Sequence, residues 1–172
     1  MPSYTFKTLK TFTEDDLLSI WGKHLNLNSY KILALSGNQQ GMYCYNIKGY
    51  RKAPDIIAIN NNKLIIGEAK LLSKDLFRVD KRGISDYNSL EYIFNHPETQ
   101  LIFKKKVSEK LKTLGYEWDL NMKICLLLLS STLFDESVND LLDYNISAIS
   151  INLSEETISS KIDNNNNFTE FI

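Results

Sequence analysis

The strongest constraint on the fold of this 172-residue chain is a strand-like run that is apolar on both faces. Residues 122–130 contain the unbroken apolar segment 124–129. A strand that faces water on one side alternates polar and apolar residues, whereas a strand covered by helices on both sides is apolar throughout. The segment is far shorter than the roughly 20 residues of a bilayer span. It therefore predicts the central strand of a sheet that carries helices on both faces.

Further elements are predicted on both sides of that strand. Thr13 is a suitable N-cap for a helix, because three acids follow it in the first turn. Short β-branched and aromatic runs separated by Gly and Asn turns predict three or four antiparallel strands in a meander. The predicted helices are 13–25, one that begins near residue 85, 97–115 and 135–144, and the predicted strands are 31–36, 42–47, 55–59, 63–69, 122–130 and 146–153. This order indicates an α/β sandwich with a mixed sheet and at least one crossover.

Composition and charge restrict the class of protein. With 43% apolar and 24% charged residues, the chain is typical of a single globular domain. Two cysteines, no CxxC spacing and no visible signal peptide predict a cytoplasmic protein without a disulfide scaffold or a membrane anchor. Residues 1–131 hold 19 Lys and Arg against 13 acids, whereas residues 132–172 hold one Lys against eight acids. We therefore expect a domain over 1–153 with a basic working face, followed by an acidic, Asn-rich tail or linker over 154–172.

The stretch 53–70 concentrates the residues that suit catalysis. Its two strands form a hairpin across Asn60-Asn61-Asn62, so that Asp55 opens the first strand while Glu68 and Lys70 close the second. Side chains alternate along a strand, and Glu68 and Lys70 therefore project from one face. Two carboxylates and an ammonium group at one sheet edge suit a hard divalent cation such as Mg²⁺. The structural alternative is an ordinary surface pair of Glu and Lys.

At these residues the sequence resembles the PD-(D/E)XK nuclease superfamily: Pro54-Asp55 matches one half of the motif and Glu68-Ala69-Lys70 the other. The resemblance covers residues 13–153 and implies a restriction-endonuclease-like three-layer sandwich, with a central mixed sheet flanked by helices in the order αβββαβαβ. It also implies hydrolysis of phosphodiester bonds. In that case Asp55, Glu68 and the Ala69 carbonyl would bind Mg²⁺ or Mn²⁺, and Lys70 would act on the attacking water.

The resemblance also directs attention to the first helix, where many members of the superfamily place an acid. Glu14 is the best candidate, with Asp15 and Asp16 as alternatives, although all three also suit the positive end of a helix dipole. In the cap-snatching RNA endonucleases the helix carries a metal-binding histidine, which His24 would match. The chain departs from that group because it has no acid between Leu17 and Pro54.

Basic residues around the motif predict a track for nucleic acid, since phosphate contacts supply affinity without sequence information. The predicted contacts are Arg51, Lys52, Lys74, Arg78, Lys81 and Arg82, and the tyrosines available for stacking on bases are Tyr43, Tyr45, Tyr50 and Tyr87. The sequence thus favours a DNA endonuclease of the restriction, defence or junction-resolving kind. A homodimer would be needed to cut both strands. The alternatives are an RNA endonuclease and a catalytically inactive nucleic-acid-binding module of the same fold.

Overall fold

A mixed sheet of six strands forms the middle layer of the protein. The computed structural model describes residues 11–36, 43–116, 121–132 and 144–171. The helices are α1 (Glu14–Leu27), α2 (Asp86–Asn95) and α3 (Pro97–Thr113), and the strands are β1 (Lys31–Ala34), β2 (Tyr45–Ile47), β3 (Tyr50–Lys52), β4 (Ile56–Asn60), β5 (Lys63–Ala69), β6 (Lys123–Ser130), β7 (Ile146–Asn152) and β8 (Thr157–Ile162). Within those described ranges, no helix is both long enough and apolar enough to cross a membrane.

The strands of the large sheet lie in the order β1-β4-β5-β6-β7-β8. β5, β6 and β7 run parallel, while β1, β4 and β8 join the sheet through antiparallel pairs. Helix α1 packs on one face of the sheet, and α2 and α3 pack on the other. The predicted α/β fold, with a central mixed sheet between helical layers, is confirmed.

Strand β6 takes the central position that its sequence predicts. Leu127 and Leu129 belong to the core that α1 covers, where Trp21 is completely buried. Leu126 and Leu128 face the opposite core, together with Phe103 of α3. Because neighbouring residues of a strand point to opposite faces, both cores need apolar side chains from the same strand. The unbroken apolar run is therefore a consequence of the three-layer architecture.

The predicted meander is wrong at the strand 42–47, in which β2 lies, and it lacks β3. β2 and β3 do not join the large sheet but pair with each other as a separate two-stranded hairpin. Lys48 and Gly49 connect them with φ of 49° and 78°, which are the positive values that a tight two-residue hairpin turn requires. In the part of the chain that the structure describes, the order also differs from αβββαβαβ, because five strands precede α2 and two helices follow one another before β6. The predicted helix at 135–144 lies outside the described residues, except for its last residue, Tyr144.

Residues that the sequence analysis assigned to a tail contribute to the sheet and the core. Residues 157–162 form β8, which pairs with β7 at the edge of the sheet. Phe168 and Phe171 are buried beneath α1. The Phe171 ring lies 4.7 Å from Trp21 and 5.5 Å from Tyr30, measured between ring centroids. Two phenylalanines thus anchor a segment whose polar composition is typical of a linker.

This packing predicts that Phe171→Ala lowers the free energy of unfolding by about 3–5 kcal/mol, the usual cost of emptying a buried phenylalanine site. Urea unfolding followed by circular dichroism measures the loss. Leu27→Ala serves as the control, because Leu27 is 80% exposed and its truncation should change stability by less than about 0.5 kcal/mol. Equal stabilities of the two variants would mean that the last residues do not pack on α1.

Candidate metal centre

The pairing of β4 with β5 brings Asp55 and Glu68 to the same end of the sheet. Ile56 lies opposite Gly67 in this antiparallel pair, so Asp55, which precedes β4, meets the last residues of β5. One oxygen of Asp55, Oδ2, accepts a hydrogen bond of 3.0 Å from the backbone N–H of Ala69. The hairpin therefore fixes the Asp55 carboxylate beside Glu68, as the alternation of the two strands predicts.

Asp86 is a third carboxylate at this place, and the sequence analysis missed it. It is the first residue of α2, whose N-terminus is fixed by a capping box between Ser85 and Asn88. One oxygen from each of Asp55, Glu68 and Asp86 lies within 4.8 Å of the other two. The sequence signal for it is an acid that directly follows a suitable N-cap, Ser85, in a helix predicted to begin near residue 85.

The three carboxylates repel one another in a poorly solvated place. Glu68 is only 2% exposed, and its burial and the neighbouring Asp55 carboxylate raise its pKa well above the usual value. Burial also raises the pKa of Asp55, although the Ala69 N–H opposes this. Among the described residues, Glu68 Oε1 has no hydrogen-bond partner. A buried oxygen of this kind fits a cation ligand, and the three carboxylates could hold a metal ion.

Two lysines partly neutralise the carboxylates. Lys52 Nζ lies 2.8 Å from Asp86 Oδ1, and both side chains are about nine-tenths buried. Lys70 Nζ lies 3.9 Å from Asp86 Oδ2 and 3.8 Å from Glu14 Oε2. Burial alone would lower the pKa of each lysine, but the surrounding carboxylates outweigh burial and raise both pKa values. Both ammonium groups therefore stay charged at neutral pH.

The candidate metal ligands on the first helix lie in different places relative to the carboxylates. Glu14 lies beside Lys70, and burial and the Asp55 carboxylate raise its pKa. Asp16 instead accepts a hydrogen bond from the backbone of Thr13 in the α1 capping box. His24 stands about 15 Å along the helix from Glu14, where its Nε2 lies 2.9 Å from the Glu156 carbonyl. The structure thus brings Glu14, and not His24, to the carboxylates.

A cleft of about 390 Å³ opens beside the centre. Its lining includes four cations, Lys52, Lys70, Arg78 and Arg82, and three acids, Asp75, Asp80 and Asp86. Each arginine has an acidic neighbour: Arg78 lies 3.2 Å from Asp75, and Arg82 lies 2.8 Å from Asp80. Each of the four cations that line the cleft therefore has an acidic neighbour, Asp86 in the case of the two lysines.

The other members of the predicted basic track lie on the surface. Arg51 is exposed on β3, Lys74 is exposed on a short 3-10 helix (Ser73–Leu76), and Lys81 is exposed in the loop before α2. Lys52 differs from them because it is buried against Asp86. The loop before α2 thus offers both cleft-lining and outward-facing cations.

No family model and no curated protein matches this chain. Among solved structures, it is similar to an XisH family protein from Nostoc punctiforme PCC 73102, with 11% identity, a TM-score of 0.43 and coverage of 86% of this chain and 99% of the other. It is also similar to an fdxN element excision controlling factor protein from Anabaena variabilis, with 14% identity, a TM-score of 0.43 and coverage of 87% and 99%. Similarity at this level does not assign a function, so a functional assignment depends on the residues of the site.

The raised pKa values of Glu68 and Asp55 predict how pH affects the metal-free protein. At these two acids the folded state binds protons that the unfolded state releases. Their contribution to stability is therefore fully present below their usual pKa values and is lost as pH rises through the folded-state pKa values. Glu68→Gln, which mimics the protonated acid, should flatten this fall and melt above the wild type at pH 8. Melting temperatures in EDTA between pH 4.5 and pH 8 measure the effect. If the melting temperatures of the two proteins changed with pH in parallel, the proposed repulsion between the buried carboxylates would be contradicted.

Because Lys52 is paired with Asp86, removing the Lys52 charge should raise the affinity of the carboxylates for a metal ion. Lys52→Met removes a cation that now neutralises the carboxylates, so Mn²⁺ should bind about tenfold more tightly, equivalent to about 1.4 kcal/mol. Calorimetric titration measures this change. Lys63→Met is the control, because Lys63 makes an ion pair with Glu170 at the other end of β5, where both side chains are about seven-tenths buried. An equal effect of both variants would show that the lysine beside Asp86 has no special relation to the metal.

Proposed function

We propose that the protein is a metal-dependent endonuclease that hydrolyses phosphodiester bonds, most effectively in DNA. One observation carries the proposal: three carboxylates within 4.8 Å of one another lie beside Lys70 and next to a cleft whose lining includes four cations. The matches of Asp55, Glu68 and Lys70 to the PD-(D/E)XK motif support the same reaction. A module that only binds nucleic acid gains nothing from burying repelling carboxylates next to a phosphate.

Asp55, Glu68 and Asp86 would hold Mg²⁺ or Mn²⁺, since these ions prefer carboxylate oxygens and retain open positions for water and phosphate. The bound ion would supply Lewis-acid activation of water and stabilisation of charge at phosphorus. The Ala69 carbonyl is proposed as a further ligand, whereas Glu14 acts through its contact with Lys70.

Lys70 would place its positive charge next to the reacting phosphate. Its amine lines the cleft within 4 Å of both Asp86 and Glu14. Because these carboxylates raise its pKa, it suits an electrostatic role better than the role of a general base. Arg78, Arg82 and the exposed Arg51, Lys74 and Lys81 would contact phosphates farther along the strand. One centre cuts one strand, and cleavage of both strands would require a homodimer.

Variants of the centre test this function by separating cleavage from metal binding. Asp55→Asn and Glu68→Gln should lose both nicking of supercoiled plasmid and Mn²⁺ affinity. Lys70→Met should keep Mn²⁺ affinity while its cleavage rate falls about 10²–10³-fold, the usual cost of removing one charge-stabilising group. Branched DNA and single-stranded RNA are tested in parallel, with Mg²⁺, Mn²⁺ or EDTA.

Glu170→Gln is the control, because this acid lies at the opposite end of β5 and pairs with Lys63. Its cleavage rate should equal that of the wild type. Failure of the wild type to cut any of the three substrates with either metal would contradict the proposed function. Cleavage of RNA alone would place the protein among RNA endonucleases instead.

A further inference from the structure

Of the four tyrosines that could stack on bases, Tyr50 alone is exposed. Its ring is 46% exposed, whereas Tyr43 and Tyr45 are buried in the core. Tyr87 is half-buried and packs in an aromatic cluster with Phe77 at 5.3 Å and with Tyr144 at 6.1 Å. An exposed tyrosine face can accept a nucleobase, while a buried ring cannot.

Tyr50 lies on the same side of its strand as a residue of the metal centre. Tyr50 and Lys52 are two positions apart on β3, so their side chains project to one face. Lys52 reaches Asp86, and that face is therefore turned toward the carboxylates. Two residues of a strand span about 7 Å, so the α-carbons of Tyr50 and Lys52 are about as far apart as two base steps of a nucleic-acid strand.

Contacts with the loop before α2 hold the Tyr50 ring against a residue of the cleft wall, Arg82. The guanidinium of Arg82, which lines the cleft, lies over the ring at 5.5 Å from its centroid. Asp80 fixes that guanidinium with hydrogen bonds of 3.0 Å and 2.8 Å. Lys48, in the hairpin turn before Tyr50, donates a hydrogen bond of 3.3 Å to the Gly83 carbonyl. The tyrosine and the arginine are thus positioned before any ligand binds.

We propose that Tyr50 and Arg82 form a stacking platform for an unpaired nucleobase next to the bond that is cut. The substrate is then a nucleic acid with an unpaired base within a few nucleotides of the cleaved phosphodiester, as in a single strand, a bulge or a branch. A paired base is already stacked on its neighbours and cannot reach the ring, whereas an unpaired base gains stacking on Tyr50 and a phosphate contact with Arg82. This inference rests on the proposed function and specifies its substrate.

Binding of two matched DNA probes tests the platform. One probe is a duplex with a single unpaired 2-aminopurine, and the other is the same duplex fully paired; Ca²⁺ replaces Mg²⁺ during titration. Tyr50→Ala should weaken binding of the bulged probe about 5- to 150-fold, the range that corresponds to loss of one base–aromatic stack. Its affinity for the paired duplex should stay unchanged. Tyr50→Trp should retain tight binding and quench 2-aminopurine fluorescence on the bulged probe.

Tyr116→Ala is the matched control, because Tyr116 is 44% exposed and also lies under a cation, the Lys31 ammonium at 3.6 Å, away from the centre. It should bind both probes like the wild type. An unchanged affinity of Tyr50→Ala for the bulged probe, or an equal loss on both probes, would overturn the platform while leaving the nuclease in place. Failure of the wild type to bind either probe would overturn the proposed function and the platform together.

Discussion

Repulsion between buried carboxylates is the constraint on which the rest of the site depends. Asp55, Glu68 and Asp86 come from the start of β4, the end of β5 and the start of α2, and each is held by backbone pairing or a helix cap. The fold therefore cannot relieve the repulsion by moving one acid away. It offsets the repulsion with two lysines and with proton uptake, and a divalent cation would offset it more completely.

The two faces of the sheet contribute different parts of this arrangement. α1 and α2 lie in opposite helical layers. The first residue of each, Glu14 and Asp86, approaches Lys70 just beyond the end of β5. Carboxylates at these positions also benefit from the positive ends of the two helix dipoles. The end of β5 thus becomes the meeting point of the sheet, both helical layers and the cleft. The β2–β3 hairpin and the loop before α2 add a side wall that carries cations and one exposed ring.

The parts of the site that follow from local rules could be predicted from sequence. Asp55, Glu68 and Lys70 sit on one hairpin, so strand alternation and a turn suffice to bring them together. Asp86 could not be placed in this way, because its position depends on how the intervening loop packs. The separate β2–β3 hairpin was missed because three-residue strands carry no signal of which sheet they join. In the last residues, Asn-rich composition hid the role of Phe168 and Phe171, which only the packing against α1 makes clear.

The most direct test of the account is the position of a bound metal ion. Crystals of the protein soaked with Mn²⁺ give an anomalous scattering peak wherever the ion binds. If the three carboxylates form a metal centre, a peak lies within bonding distance of Asp55, Glu68 and Asp86, and Lys52 has moved away from Asp86. No peak between these carboxylates at a Mn²⁺ concentration that supports cleavage, or a peak held by other residues, would contradict it.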